Sequence, residues 1–229
     1  MRALEKAQKD PESTKARILS AARRIFGEYG FHGTTTRMIA KEAGIDISTL
    51  HYHWGEKGDL YEAVILDMSR DLGQVLRYVE KVIHGKPLPE RLKISFGLIT
   101  DYLFEHPEIS NLMLMRYFSK TRHETRLDFK VPEFTGDIAR SMGLSKDKRD
   151  VPPFAMMQVL VIMNSIHNFI SGENFFRPLI KIDKAAYVKM TKEVLETMFI
   201  APFIGWEENV QKLRTSRRPR NGTAKNTTE

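Results

Sequence analysis

From residue 34 to 54 the chain reads Thr-Thr-Thr-Arg-Met-Ile-Ala-Lys-Glu-Ala-Gly-Ile-Asp-Ile-Ser-Thr-Leu-His-Tyr-His-Trp. Hydroxyls, imidazoles, a phenol and a guanidinium are interleaved here with small and aliphatic residues. Such polar groups hydrogen-bond phosphate oxygens and base edges. The spacing predicts two short helices, about 35 to 43 and 47 to 54, the second N-capped by Asp46. Gly44 can take the positive φ needed just past a helix end, and Ala43 is small where the helices would cross. Ile39, Ala40, Ile45, Leu50 and Trp54 supply internal contacts, which leaves Ile47, Ser48, Thr49, Tyr52 and His53 on the other face. Two helices joined in this way form a unit whose second helix suits the major groove of DNA.

Other chemistries find little support. The chain has no cysteine, which excludes disulfides, a thiolate nucleophile and thiolate metal sites. There is no His-Glu-x-x-His, no Gly-rich phosphate loop, no Ser/His/Asp order and no carboxylate pair at usable spacing, so an enzyme is not expected. His51 and His53 are two residues apart, which points them to different sides of a helix, and no third ligand is near. Neither a metal nor a cofactor is expected.

The surrounding elements read as helices throughout, with no alternating strand. A first helix of about 18 residues carries Ile18, Leu19, Ala22, Ile25 and Phe26 on one face and stops at Gly30. A long helix is predicted from about 59 to 83, and further helices near 90 to 105, 107 to 122, 133 to 142, 153 to 172 and 183 to 204. Residues 151 to 172 lack Asp, Glu, Lys and Arg, but Gln158, Asn164, Ser165, His167 and Asn168 fit a helix buried in protein better than one crossing a membrane. Residues 1 to 12 are charged throughout, have no apolar run of the secretory kind and read as an exposed arm; a cytoplasmic location follows as the expectation. The formal net charge of the 229 residues is +7, favouring a polyanionic partner. Residues 206 to 229 hold six basic residues against three acidic ones and read as a basic flexible tail.

The segment 14 to 65 resembles the DNA-binding domain of the TetR family of bacterial transcriptional regulators. The resemblance is carried by Ile18-Leu19, Ala21-Ala22, Phe26, Tyr29-Gly30-Phe31, Thr34-Thr35, Ile39-Ala40, Ala43-Gly44-Ile45, Ser48-Thr49-Leu50, His53-Trp54, Lys57 and Leu60-Tyr61. Four positions depart from the family pattern: Ser48 where glycine is frequent, Ile47 where a polar residue is common, His51 for tyrosine and Trp54 for phenylalanine. The base preference therefore cannot be carried over. The resemblance implies that Thr35, Thr36 and Arg37 lie beside phosphates or the groove edge. It implies that Ile47, Ser48 and Thr49 enter the groove, and that His51, Tyr52, His53 and Lys57 mainly contact the backbone.

Residues 59 to 205 then resemble the family's helical ligand-binding and dimerisation domain, after a helix-turn-helix domain over 13 to 58. The implied partners are a double-stranded DNA operator, a second copy of the chain and a small, largely hydrophobic effector, with no membrane. Phe96, Tyr102, Met113, Met115, Tyr117, Phe154, Met157, Asn164 and His167 are the expected lining of an effector cavity. Tyr187, Met190, Val194 and Met198 form a stripe on the last long helix that the resemblance assigns to a dimer interface. The leading function is a homodimeric repressor released by its effector. The alternatives are an activator or architectural protein without a ligand, and a helical small-molecule-binding protein.

Overall fold

The computed structural model describes residues 2–118, 131–147 and 150–201, and over these it contains helices and no strand. The elements are α1 (Arg2–Lys9), α2 (Thr14–Gly33), α3 (Thr36–Ala43), α4 (Ile47–Trp54), α5 (Lys57–Ile83), α6 (Leu88–Glu105), α7 (Pro107–Phe118), α8 (Val131–Ser141), α9 (Pro153–Ser171), α10 (Glu173–Leu179) and α11 (Lys184–Leu195), the last running into a π-helical turn at Glu196–Ile200. The architecture is the all-α one expected, an N-terminal helix-turn-helix unit followed by a helical domain. The expected basic tail and the far end of the helix predicted over 107 to 122 lie outside the described residues.

Local chemistry explains most boundaries. Ser13 caps α2 by accepting from the Ala16 N–H, Thr35 caps α3 through Met38, and Asp46 caps α4 through Thr49. Gly44, at φ 65°, closes α3 in the left-handed region. The α5 start lies two residues earlier than expected because the Glu56 N–H donates to Asp59 in a capping box. Gly30, at φ 67° and ψ 178°, ends the regular first stretch of α2 as expected, and a short second helical stretch follows it across a kink to Gly33.

Two elements differ from the sequence reading. Residues 2 to 9 are not an exposed arm but a helix: Ala7 is buried, Ala3 and Leu4 pack on the core, and Gln8 donates to Asp67 of α5 at 2.8 Å. Three small or aliphatic residues suffice because α2 supplies the rest of the contact. The short helix α10 went unread because Pro178 lies within it.

Phe26, Ile39, Leu50, Leu60 and Val64 form the core of the N-terminal unit, and α5 carries it into a second layer built on Leu92, Phe96, Leu103, Leu112, Val159, Ile162 and Ile166. By length and composition α9 could cross a bilayer, yet Val159, Ile162, Ile166 and Ile170 bury one of its faces in this core. The two layers meet most closely where α2 crosses α7. A Cβ placed on Gly27 would lie 2.5 Å from the Cβ of Glu108 and 3.0 Å from its Cα.

Gly27→Ala must therefore force the two helices apart, at a cost of about 1 to 3 kcal/mol. Gly97→Ala on α6, where nothing lies within 4 Å of the new methyl, should be neutral or stabilise by about 0.5 to 1 kcal/mol. Thermal melts of the two variants check the pair; equal melting temperatures would refute the close approach.

Candidate nucleic-acid interface

The second helix of the unit, α4, is held from inside by Leu50, fully buried, and Trp54, whose indole N–H donates to the Lys15 carbonyl on α2 at 3.2 Å. Its outward surface carries Ser48, His51 and Tyr52, all exposed, with Tyr52 at 84%. Thr49 is half-buried, and Ile47 is partly turned onto the core, so its place in a groove is shared with a packing role. Thr35 and Arg37 are exposed at the start of α3, and Thr36 is half-buried between them. Thr35, Arg37, Ser48, His51 and Tyr52 are thus exposed, whereas Thr36, Ile47 and Thr49 are partly buried.

Asp46 organises the start of α4 beyond its capping bond. One carboxylate oxygen accepts from the Thr49 N–H at 2.7 Å and from Ser48 Oγ at 2.5 Å, and the other accepts from Thr49 Oγ1 at 2.9 Å. The Ser48 and Thr49 bonds hold this carboxyl down at about 2. With their protons given to Asp46, the two hydroxyls present lone pairs, which suits the exocyclic amino groups of adenine and cytosine.

The remaining expected backbone contacts are placed less simply. Lys57 does not extend from the surface: Nζ donates to the carbonyls of Phe31 and Thr34, both at 2.9 Å, and lies 4.4 Å from the centre of the Phe31 ring. It closes the segment between α2 and α3 against the start of α5, a structural role that the expectation of a phosphate contact did not include. His51 Nδ1 is 2.9 Å from the Gly55 carbonyl, and His53 Nδ1 is 2.9 Å from Lys15 Nζ. Burial, then the charge of Lys15, lowers the pKa of His53 below its ordinary value.

The expected cavity residues do not converge on one place. Phe96 is core, Met113 is packed against it, and Tyr117 is half-buried, which raises its pKa. Asn164 spends its amide on the Leu160 carbonyl of its own helix. Met157 and Phe154 must be corrected: both are exposed on the outer face of α9, because only the other face meets α7. Tyr102 belongs to a polar junction instead, beside Arg23 and 4.6 Å from the His106 ring centre. His167 is buried with Ser110 Oγ 3.0 Å from its Nδ1, and burial lowers its pKa to about 4. Met190 and Val194 on α11 and Met198 in the π-helical turn that follows it are exposed apolar side chains, but Tyr187 is not one of them. Its ring is 2% exposed, and its hydroxyl donates to the Phe169 carbonyl at 2.7 Å.

Sequence reading missed Arg23, which ties the two layers. Its guanidinium reaches Glu108 of α7 at 2.9 Å and, on α5, Asp71 at 2.5 Å and Asp67 at 3.5 Å. The partners are 44 to 85 positions away in the chain, so no local pattern announces them. Lys15 was missed for the same reason.

Two outcomes follow. Lys57→Met should lower stability by about 1 to 3 kcal/mol, as expected for charged hydrogen bonds lost with carbonyls left behind; an unchanged melting temperature would restore a purely surface role. His167 is held neutral, with its folded pKa below the unfolded value of 6.5. Its contribution is therefore complete above pH 6.5 and is lost as pH falls toward about 4. Chemical denaturation across that window should show an acid loss of up to about 3 kcal/mol, and His167→Phe should flatten it; an identical pH profile in the variant would refute the assignment.

A family-wide sequence profile, described as "Bacterial regulatory proteins, tetR family", matches residues 18–64, the span from α2 to α5. The HTH-type transcriptional regulator UidR of Escherichia coli (strain K12) is 36% identical over 161 residues, 66% of this chain and 75% of that protein. Among solved structures, a TetR-like transcriptional regulator from Rhodococcus sp. RHA1 superposes with TM-score 0.54 at 16% identity, over 80% of this chain and 93% of the other. The transcriptional regulator FadR from Bacillus subtilis, solved in complex with stearoyl-CoA, gives TM-score 0.51 at 17% identity, over 78% and 96%.

Proposed function

Since the chain belongs to the TetR family of bacterial regulatory proteins, and so is a DNA-binding transcriptional regulator, we propose that it acts as a homodimeric repressor which a small, largely apolar effector releases from its operator. The observation that carries this reading is the division of labour along α5. The helix begins at Lys57 against the helix-turn-helix unit and, 27 residues long, runs on against α6, with Met68 in the shared core and Val79 and Ile83 buried near its end. A ligand in that core and DNA at α4 would bias the same element, which reciprocal coupling requires.

The dimer is supported by apolar side chains that one protomer leaves in water. Phe154, Met157 and Val161 lie along α9, and Met190, Val194 and Met198 along α11 and the π-helical turn that continues it. A second copy covering both faces in an isologous contact removes them. The apolar effector is supported by the composition of the second core, whose polar groups include the Ser110–His167 pair, and by the fold neighbour that holds stearoyl-CoA.

The test is a footprint on the DNA upstream of the protein's own gene, followed by titration with fatty acids, their coenzyme A esters, aromatic acids and sugars. Two protomers should bind one duplex, Met198→Glu should abolish that stoichiometry, and apolar compounds alone should release the DNA. Tight binding as a monomer, or release only by sugars, would overturn the proposal.

A further inference from the structure

The two histidines of α4 face partners of opposite hydrogen-bonding character. The Gly55 carbonyl can only accept, so the Nδ1 of His51, 2.9 Å away, must carry the proton. In neutral His51 the Nε2 is then a bare acceptor. An ammonium can only donate, so the Nδ1 of His53, 2.9 Å from Lys15 Nζ, must be unprotonated. In neutral His53 the Nε2 is then an N–H donor, and no other hydrogen bond to that ring exists among the described residues.

We propose that Lys15 is a positioning residue which fixes neutral His53 as its Nε2–H tautomer, making it the histidine of α4 that donates to a DNA phosphate, whereas Gly55 fixes neutral His51 in the tautomer that cannot. This rests on the DNA-binding reading of α4. A phosphate oxygen accepts hydrogen bonds and offers none, so it discriminates between the two tautomers.

The surroundings make the tautomer of His53 a fixed property. Ser13 caps the first turn of α2, where Lys15 sits, by accepting from the Ala16 N–H at 3.2 Å, and Trp54 grips the Lys15 carbonyl. The backbone that carries the ammonium is thus tied both to α2 and to the last turn of α4. The groups facing His53 are Lys15 from α2 and, on its own helix, Tyr52, whose ring centre is 5.1 Å away. No carboxylate is among its recorded partners to draw a proton onto Nδ1. Lys15 also keeps a cation beside the proposed phosphate, where it adds to the attraction without carrying sequence information.

The experiment uses the full chain labelled with nitrogen-15. Long-range proton–nitrogen spectra at neutral pH, assigned with His51→Gln and His53→Gln, should show His53 protonated at Nε2 and His51 at Nδ1. In Lys15→Met the His53 signals should move to a mixture of tautomers and its titration midpoint should rise toward the ordinary histidine range. Lys15→Arg, which also can only donate, should restore the wild-type spectrum. Against a random-sequence duplex at low salt, His53→Phe should bind about tenfold more weakly, the loss expected for one hydrogen bond to a charged acceptor. His53→Gln, which keeps a donor, should lose less, and His51→Phe should bind as wild type does. The same tautomer on both histidines, or an unmoved His53 in Lys15→Met, would overturn the lock. Unchanged duplex affinity in His53→Phe would overturn the phosphate contact while leaving DNA binding intact. A wild-type chain that binds no duplex would instead refute the DNA-binding reading, with the tautomers still read from the spectra.

Discussion

The guanidinium of Arg23 ties α2 to both α5 and α7, and the junction of the two layers is built around it. It is only 14% exposed and meets carboxylates from α5 and α7. Burying an arginine is costly unless its charge and donors are met, and removing one partner of such a group exposes the others to the full penalty of desolvation. The surplus of acid is visible in the neighbours. Asp67 has its pKa raised, by burial first and also by Asp71, against the pull of Gln8 and Arg23. Tyr102 is raised by burial and by Asp71 and Glu108. The close approach of Gly27 to Glu108 one turn along α2 sets the distance at which this charge cluster must be satisfied.

The face toward DNA depends on the same helix. Because α2 also carries Lys15 and the carbonyl that Trp54 grips, the pose of α4 is referred to α2. Lys57, donating to Phe31 and Thr34 at the end of α2, refers the start of α5 to it as well. The helix-turn-helix unit is therefore indexed from one element at three places, and a movement of α5 or α7 reaches α4 through α2 as well as through its own junction.

What the sequence showed of this follows from how local each interaction is. The cap at Asp46, the glycine at 44 and the apolar face of α2 are fixed by residues within one or two turns, and they were legible. The helix α10 was hidden by the proline at 178 within it, and the π-helical end of α11 carries no signal in its residue types. The same distinction divides the site residues. Side chains on α3 and α4 fall on one face because the period of a helix puts them there. The role of Lys57 was misjudged in part because its acceptors are carbonyls, whose availability no residue type announces. Tyr187 and Met157 exchanged the parts expected of them for one reason. A stripe read from spacing says which residues share a side, and contact with α6 and α7 decides which side is inward.

The Arg23 junction also explains how a rigid indexing helix is compatible with a switch. A ligand changes DNA affinity only by binding one arrangement of the helices more tightly than another, so the proposed release requires two arrangements of similar free energy. A cation held by a single carboxylate would resist any slide, since separation would leave both charges buried and unpaired. Arg23 has three carboxylates spread over α5 and α7, two close and Asp67 at 3.5 Å. Were α5 to shift along its axis in the proposed release, the bond to Asp71 could lengthen as the one to Asp67 shortened, with Glu108 still holding the guanidinium. Because Asp67 and Asp71 are one turn apart on one face of α5, the exchange matches the natural step of a helix sliding past a fixed partner. In the proposed release, the excess negative charge that makes the junction costly would keep the cation paired in both arrangements.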